Sequence, residues 1–384
     1  MSRRINSGLS VGGVQLVSQE AWNDELNHKH DRLVEWLREQ KLAGVLIRRH
    51  ENTAWITGGA VEVRVLTPCE TGVASLLVTA TGQRYYFTTE NEAPRLNDEE
   101  FGALDFEPVI FPWHADSTNE AAARAAGGPL ASDTPTPGST HVNLFPLRAS
   151  LVDAEMARYR WLGAQTAAAT VESLNRVEPG QSEFDLESMT SAALLRRGIQ
   201  PSVYLYAVDG RILKYKHAVP RGARLKEYGM LNLCSRKWGL AISITRFVHF
   251  GALPGGLAER FHAAAQVNAA LLDATREGAT SSQLFHIAQA AYAAEGYPGE
   301  ERFHHQGGPT GYWEREWLAT PTGTETVVNN QAFAWNPSIR GGKVEDTVLL
   351  RDGKIENLTA TPELPAIEAT ANGNSYPAAG VLVK

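Results

Sequence analysis

The chain has 384 residues, of which 43% are hydrophobic and 21% charged, with a formal net charge of −7. Single cores rarely grow past roughly 250–300 residues, so two are expected. The acidic balance gives no electrostatic footing for nucleic acid, two cysteines in so long a chain argue against a disulfide framework, and no apolar run approaches the ~20 residues of a membrane helix.

Residues 1–25 read as an N-terminal extension. They carry positive charge but lack the continuous apolar stretch of a signal peptide, so a cytoplasmic location is expected. From residue 26 to 148 the pattern is that of an α/β unit. HDRLVEWLREQ has helical spacing, and Gly44 then precedes the apolar strand VLIRR. ASLLVTATGQRYYFTT predicts a hairpin turning at Thr81-Gly82. GGPLASDTPTPGST, over residues 127–140, is dense in Gly, Pro, Ser and Thr and reads as a loop or boundary.

Residues 149–384 contain an internal repeat. Two long helical patterns each lead into a second helix with the same punctuation. Gly180 pairs with Gly278, Ser182 with Thr280, Leu186 with Leu284 and Gly198 with Gly296, all at an offset of 98 residues. Ser182 with Asp185, and Thr280 with Gln283, have the spacing of helix-capping boxes. Strand-like runs follow each pair: YGMLNLCSRKWGLAISITRFVHFG after the first, QAFAWNPS and EDTVLLRDGKIENLT after the second. The expected fold is mixed α/β, of the α+β kind, with two pseudo-symmetric halves and a ligand cleft between them.

With these segments in view, the chain after residue 25 resembles the creatinase/aminopeptidase P family. The resemblance implies a creatinase-type N-terminal domain followed by a pita-bread catalytic domain. Metal-dependent members carry two aspartates, a histidine and two glutamates around two metal ions. In LNLCSRKWGLAISITR the aspartate positions read Asn232 and Ser243, spaced as in the family, with Thr245-Arg246 as the usual ending. In RFHHQGG the ligand histidine matches His305. The first glutamate reads Asn336, in AWNPS, and the second remains as Glu345, in KVEDT. One carboxylate and one imidazole cannot hold two hard divalent ions, so no metal and no cofactor are expected.

Creatinase, a metal-free member of the family, hydrolyses a C–N bond of a small guanidino compound and depends on a loop histidine that matches His217. It retains the first glutamate, which this chain lacks. By that resemblance His217 is expected as general acid/base, with His305 and Glu345 completing the catalytic set. The bland reading of His217 is a loop histidine capping a carbonyl. Either His304 or His305 can serve as the polar one of the pair. Glu345, left without metal, is expected to have a raised pKa or to pair with His305 or Arg315. Asn232, Ser243, Tyr312, Arg315, Asn336 and, from a partner copy, Arg64 are the candidate substrate residues. Trp55, Trp113, Trp238 and Trp335 read as core or cleft wall. The implied function is metal-independent hydrolysis of a C–N bond in a small, polar, amino-acid-like substrate by a homodimer, without nucleic-acid or membrane partners. The alternatives are a metal-dependent Xaa-Pro peptidase and a non-catalytic binding protein of the same fold.

Overall fold

The computed structural model describes residues 10, 11 and 14–384, so the first nine residues of the N-terminal extension, with residues 12 and 13, lie outside the described chain. The chain divides into two compact units. One comprises Met1–Arg158 with Trp238–Leu240, the other Tyr159–Lys237 with Ala241–Lys384.

In the first unit, helix α1 (Gln19–Glu39) starts at Ser18, whose hydroxyl accepts from the Ala21 N–H at 3.1 Å. It buries Trp22, Leu33 and Leu37, extending the predicted helix back into the expected extension. Next come β1 (Gly44–Arg49), α2 (His50–Ile56), and the antiparallel pair β2 (Thr71–Thr79) and β3 (Arg84–Thr89). Gly82, with φ of 88°, makes the predicted turn between them. Then follow β4 (Glu107–Phe111), α3 (Thr118–Ala126), β5 (Leu130–Ser132) and β6 (Ser139–His141). The six strands form one sheet in the order β4-β3-β2-β1-β5-β6.

Residues 127–140 are thus not a mere loop. Leu130–Ser132 is buried and runs parallel to β1, and the buried Asp133 accepts from the backbone of Arg48 and Arg49 and from the Asn52 side chain. Local composition is overridden there by pairing with a buried neighbour. Trp113 is also misread, being 72% exposed.

Helix α4 (Asp153–Asn175) carries the chain into the second unit. There α5 (Glu183–Leu195), β7 (Gln200–Val208), β8 (Tyr228–Lys237) and β9 (Leu240–His249) make the first half. Helices α6 (Gly255–Ala274) and α7 (Ser281–Ala294) precede β10 (Gly307–Thr310), β11 (Gln331–Trp335), β12 (Asp346–Arg351) and β13 (Lys354–Asn357) in the second. With β14 (Val381–Val383), the strands form two four-stranded sheets, β14-β9-β8-β7 and β10-β11-β12-β13. The repeat is real. Both capping boxes form, at α5 and α7, Leu186 and Leu284 are fully buried, and all four paired glycines have positive φ.

The two sheets meet along β9 and the entry to β12. The Ala241 N–H donates to the Gly311 carbonyl at 2.8 Å, and Thr347 Oγ1 bonds both the N–H and the carbonyl of Ser243, each at 2.9 Å. At this seam, backbone polar groups of one half are satisfied by the other, and the candidate site lies along it.

Candidate active site

Each expected residue of the second unit is placed by a strand or by the loop that enters one. Asn232 lies on β8 and Ser243 on β9. Asn336 follows β11, and Glu345 precedes β12. His217 lies in the loop between Gly210–Lys214 and β8, on an exposed position. His304 and His305 follow the short turn Glu300–Phe303 and lead into β10. The glycines after them are dictated by packing: a Cβ at Gly307 or Gly308 would stand 2.1 Å from the Ala334 or Trp317 carbonyl oxygen, respectively. That close approach fixes where the two histidines leave the strand.

Glu345 is buried and fully engaged. Arg315 Nη2 donates to its Oε1 at 2.8 Å, while Lys343 Nζ and Thr245 Oγ1 donate to its Oε2 at 2.8 and 2.5 Å. Arg315 Nη1 also donates to Ser243 Oγ at 2.8 Å. Burial would raise the Glu345 pKa, but Lys343, Arg315 and the hydrogen bonds outweigh it and hold the carboxyl at about 2. Of the two expected outcomes, pairing with Arg315 is the one found, and the pKa is lowered rather than raised. Lys343 is the residue that sequence reading missed. In an extended segment, residues two apart share a side, so Lys343 and Glu345 in GKVED were a readable pair.

The histidines cluster. His304 Nε2 lies 3.0 Å from His217 Nε2, and His304 Nδ1 lies 3.2 Å from Ser338 Oγ. Ring centroids of His217 and His305 are 5.7 Å apart. Burial, with Lys343 next, lowers the pKa of His217 and of His304, and burial with Arg315 brings His305 to about 4. All three are neutral at pH 7. His304, not singled out as a site residue from sequence, holds His217 to Ser338. Asn232 Nδ2, Asn336 Oδ1, His305 Nδ1 and Arg315 Nε are buried without a hydrogen-bond partner, an arrangement in want of a ligand. Tyr312 is fully buried. Arg64 belongs to the first unit, where Glu62 accepts from its Nε and Nη2 at 2.9 and 2.7 Å. Within the second unit, a separate cavity of about 460 Å³, lined by Arg246, Leu272, Val348, Leu364 and Tyr376, contains none of the expected residues.

A family model, "Metallopeptidase family M24", matches residues 157–352. The chain belongs to this family. Among solved structures it is similar to the dipeptidase PepE from Mycobacterium ulcerans, at 16% identity over 94% of this chain and 98% of that one, with a TM-score of 0.72. It is likewise similar to the Xaa-Pro dipeptidase from Bacillus anthracis, at 15% identity over 94% and 100%, TM-score 0.74. A third likeness is to the N-terminal domain of the FACT complex subunit SPT16 from Cicer arietinum, at 13% identity over 87% and 96%, TM-score 0.63. A sequence search of curated proteins returned no match. The fold is the expected creatinase-type N-terminal domain followed by a pita-bread domain, and membership of this peptidase family supports a hydrolase. No helix among the described residues is long and apolar enough to cross a membrane.

The residues present do not fit the paired metal ions of the family's metal-dependent members. By the resemblance, Glu345 is the one carboxylate of that four-carboxylate donor set this chain keeps, and both its oxygens are taken by cationic or hydroxyl donors. One carboxylate against two cations (−1 + 2) leaves a net charge of +1, where two divalent ions need a strongly negative cage. Lys343 and Arg315 stand beside the surviving carboxylate, as metal ions would.

Proposed function

We propose that this M24-family chain is a hydrolase that cleaves a C–N bond in a small amino-acid-derived substrate by histidine acid–base chemistry, without the paired-metal carboxylate centre. The observation that carries this reading is the locking of Glu345 by Lys343 and Arg315. His217, exposed and with a lowered pKa, takes a proton from water as general base and returns it to the departing nitrogen. His304 orients it through their shared hydrogen bond. Asn232 offers an N–H and Asn336 a carbonyl to a substrate amide or amidine, which supplies the partners both lack. The surplus positive charge of Lys343 and Arg315 suits a substrate carboxylate. Homodimerisation, with Arg64 reaching a partner's pocket, and a cytoplasmic location belong to the same proposal.

A second reading is favoured by the names of the structural neighbours: metal-dependent cleavage of Xaa-Pro dipeptides. Those comparisons back a peptidase more strongly than a creatinase-like amidine hydrolase. A panel of Xaa-Pro dipeptides, N-acyl amino acids and guanidino acids, assayed with chelator and then with excess Mn²⁺, separates the two. Turnover that persists in chelator supports the first reading. Turnover that appears only with Mn²⁺ establishes the second.

A further inference from the structure

The geometry points to a three-histidine site for one borderline transition-metal ion of the Zn²⁺ class, made by His217, His304 and His305, which uses the histidine matched to the family's paired-metal centre but none of its carboxylates. One ring nitrogen from each histidine lies within 4.8 Å of the other two. Tetrahedral ligands at bonds of about 2.0–2.1 Å stand roughly 3.3 Å apart, so the 3.0 Å between His217 Nε2 and His304 Nε2 needs only a few tenths of an ångström to admit the ion.

The donor chemistry selects the ion. Three imidazoles suit Zn²⁺, Co²⁺, Ni²⁺ or Cu²⁺, whereas Mn²⁺, Mg²⁺ and Ca²⁺ prefer oxygen. His304 is already oriented by an outer partner, because Ser338 Oγ at its Nδ1 leaves Nε2 facing His217. His305 Nδ1 is buried with no hydrogen-bond partner, so a ligand there displaces nothing. Of the cations nearby, Lys216 has its own counterion in Glu300 at 2.8 Å, while Lys343 and Arg315 share the single carboxylate of Glu345, so the ion would have to bind neutral imidazoles against one surplus positive charge. The exposed side of His217 leaves a coordination position open to water. An ion there engages a lone pair of the same imidazole that acts as base in the reading above.

The test uses the untagged full-length protein, stripped with chelator and desalted. Zn²⁺ is titrated calorimetrically and Co²⁺ by its visible absorption. The expected result is one equivalent of Zn²⁺ per chain and a Co²⁺ band of tetrahedral or five-coordinate type. His217→Ala, on an exposed loop, weakens binding at least about tenfold, and so does His305→Ala. Circular dichroism on both variants separates ligand loss from misfolding. No Zn²⁺ binding, or binding unchanged in both variants, overturns the site.

Discussion

Replacing Glu345 by glutamine tests the buried charge cluster most severely. The change removes one charge and keeps the volume, leaving Lys343 and Arg315 without their shared counterion in a buried setting. Breaking a buried pair on one side costs about 3–5 kcal/mol, because the orphaned charge keeps its desolvation penalty. The second unit spans 223 residues (79 in Tyr159–Lys237 plus 144 in Ala241–Lys384). For a unit of that size about 2–4 °C of Tm follows each kcal/mol, so Tm falls by roughly 6–20 °C. The assay is thermal unfolding by circular dichroism in EDTA. Lys343→Met in the Glu345→Gln background recovers part of the loss, since it removes one orphan. An unchanged or raised Tm for Glu345→Gln in EDTA refutes the reasoning: it shows the carboxylate waiting for a metal ion rather than neutralising Lys343 and Arg315.

Other outcomes follow from the same geometry. His217→Ala lowers turnover by about 10²–10⁴-fold with little change in Tm, because the residue is exposed; retained turnover refutes its role as base. On acidification, His305, at about 4 when folded against about 6.5 unfolded, is protonated first in the unfolded chain. Stability therefore falls between about pH 6.5 and 4. Glu345, at about 2 when folded against 4.5 for a free glutamate, contributes stability above pH 4.5 that is lost as pH falls toward 2. A Tm that stays level from pH 7 to 4 contradicts the burial of a neutral His305. Ser182→Ala and Thr280→Ala each remove an N-cap and cost about 1 kcal/mol. Matched shifts in Tm are expected from the repeat, and a neutral result at either helix refutes equivalent caps.

The repeat was legible because its signals are local: a cap, a glycine of positive φ and a buried leucine recur at one offset. The hairpin at Gly82 was legible for the same reason. Residues 127–140 were not, because their strand character comes from pairing with β1 and from the ties to Asp133, which no window of that composition reveals. At the site, it is the resemblance that sets Asn232, Ser243 and Asn336 at carboxylate positions of the family. The sequence offers Arg315 as one partner of Glu345 but not the joint cluster, because Arg315 and Lys343 come from different segments and meet only across Glu345. The lowered Glu345 pKa follows from that meeting and reverses the expectation for a carboxylate stranded by burial alone. His304 was the less favoured of an adjacent pair, and only the fold turns it toward His217 and Ser338.

The central proposal is that internal cations stand in for the family's carboxylate centre for two metal ions. Mn²⁺ addresses it directly, since it favours carboxylate and water over imidazole and thus reports on that centre rather than on the histidine cluster. In an electron paramagnetic resonance titration of the chelator-stripped chain, the free Mn²⁺ signal is predicted to keep its full amplitude at stoichiometric protein. Loss of two equivalents of signal per chain, restored by Glu345→Gln, would contradict the account.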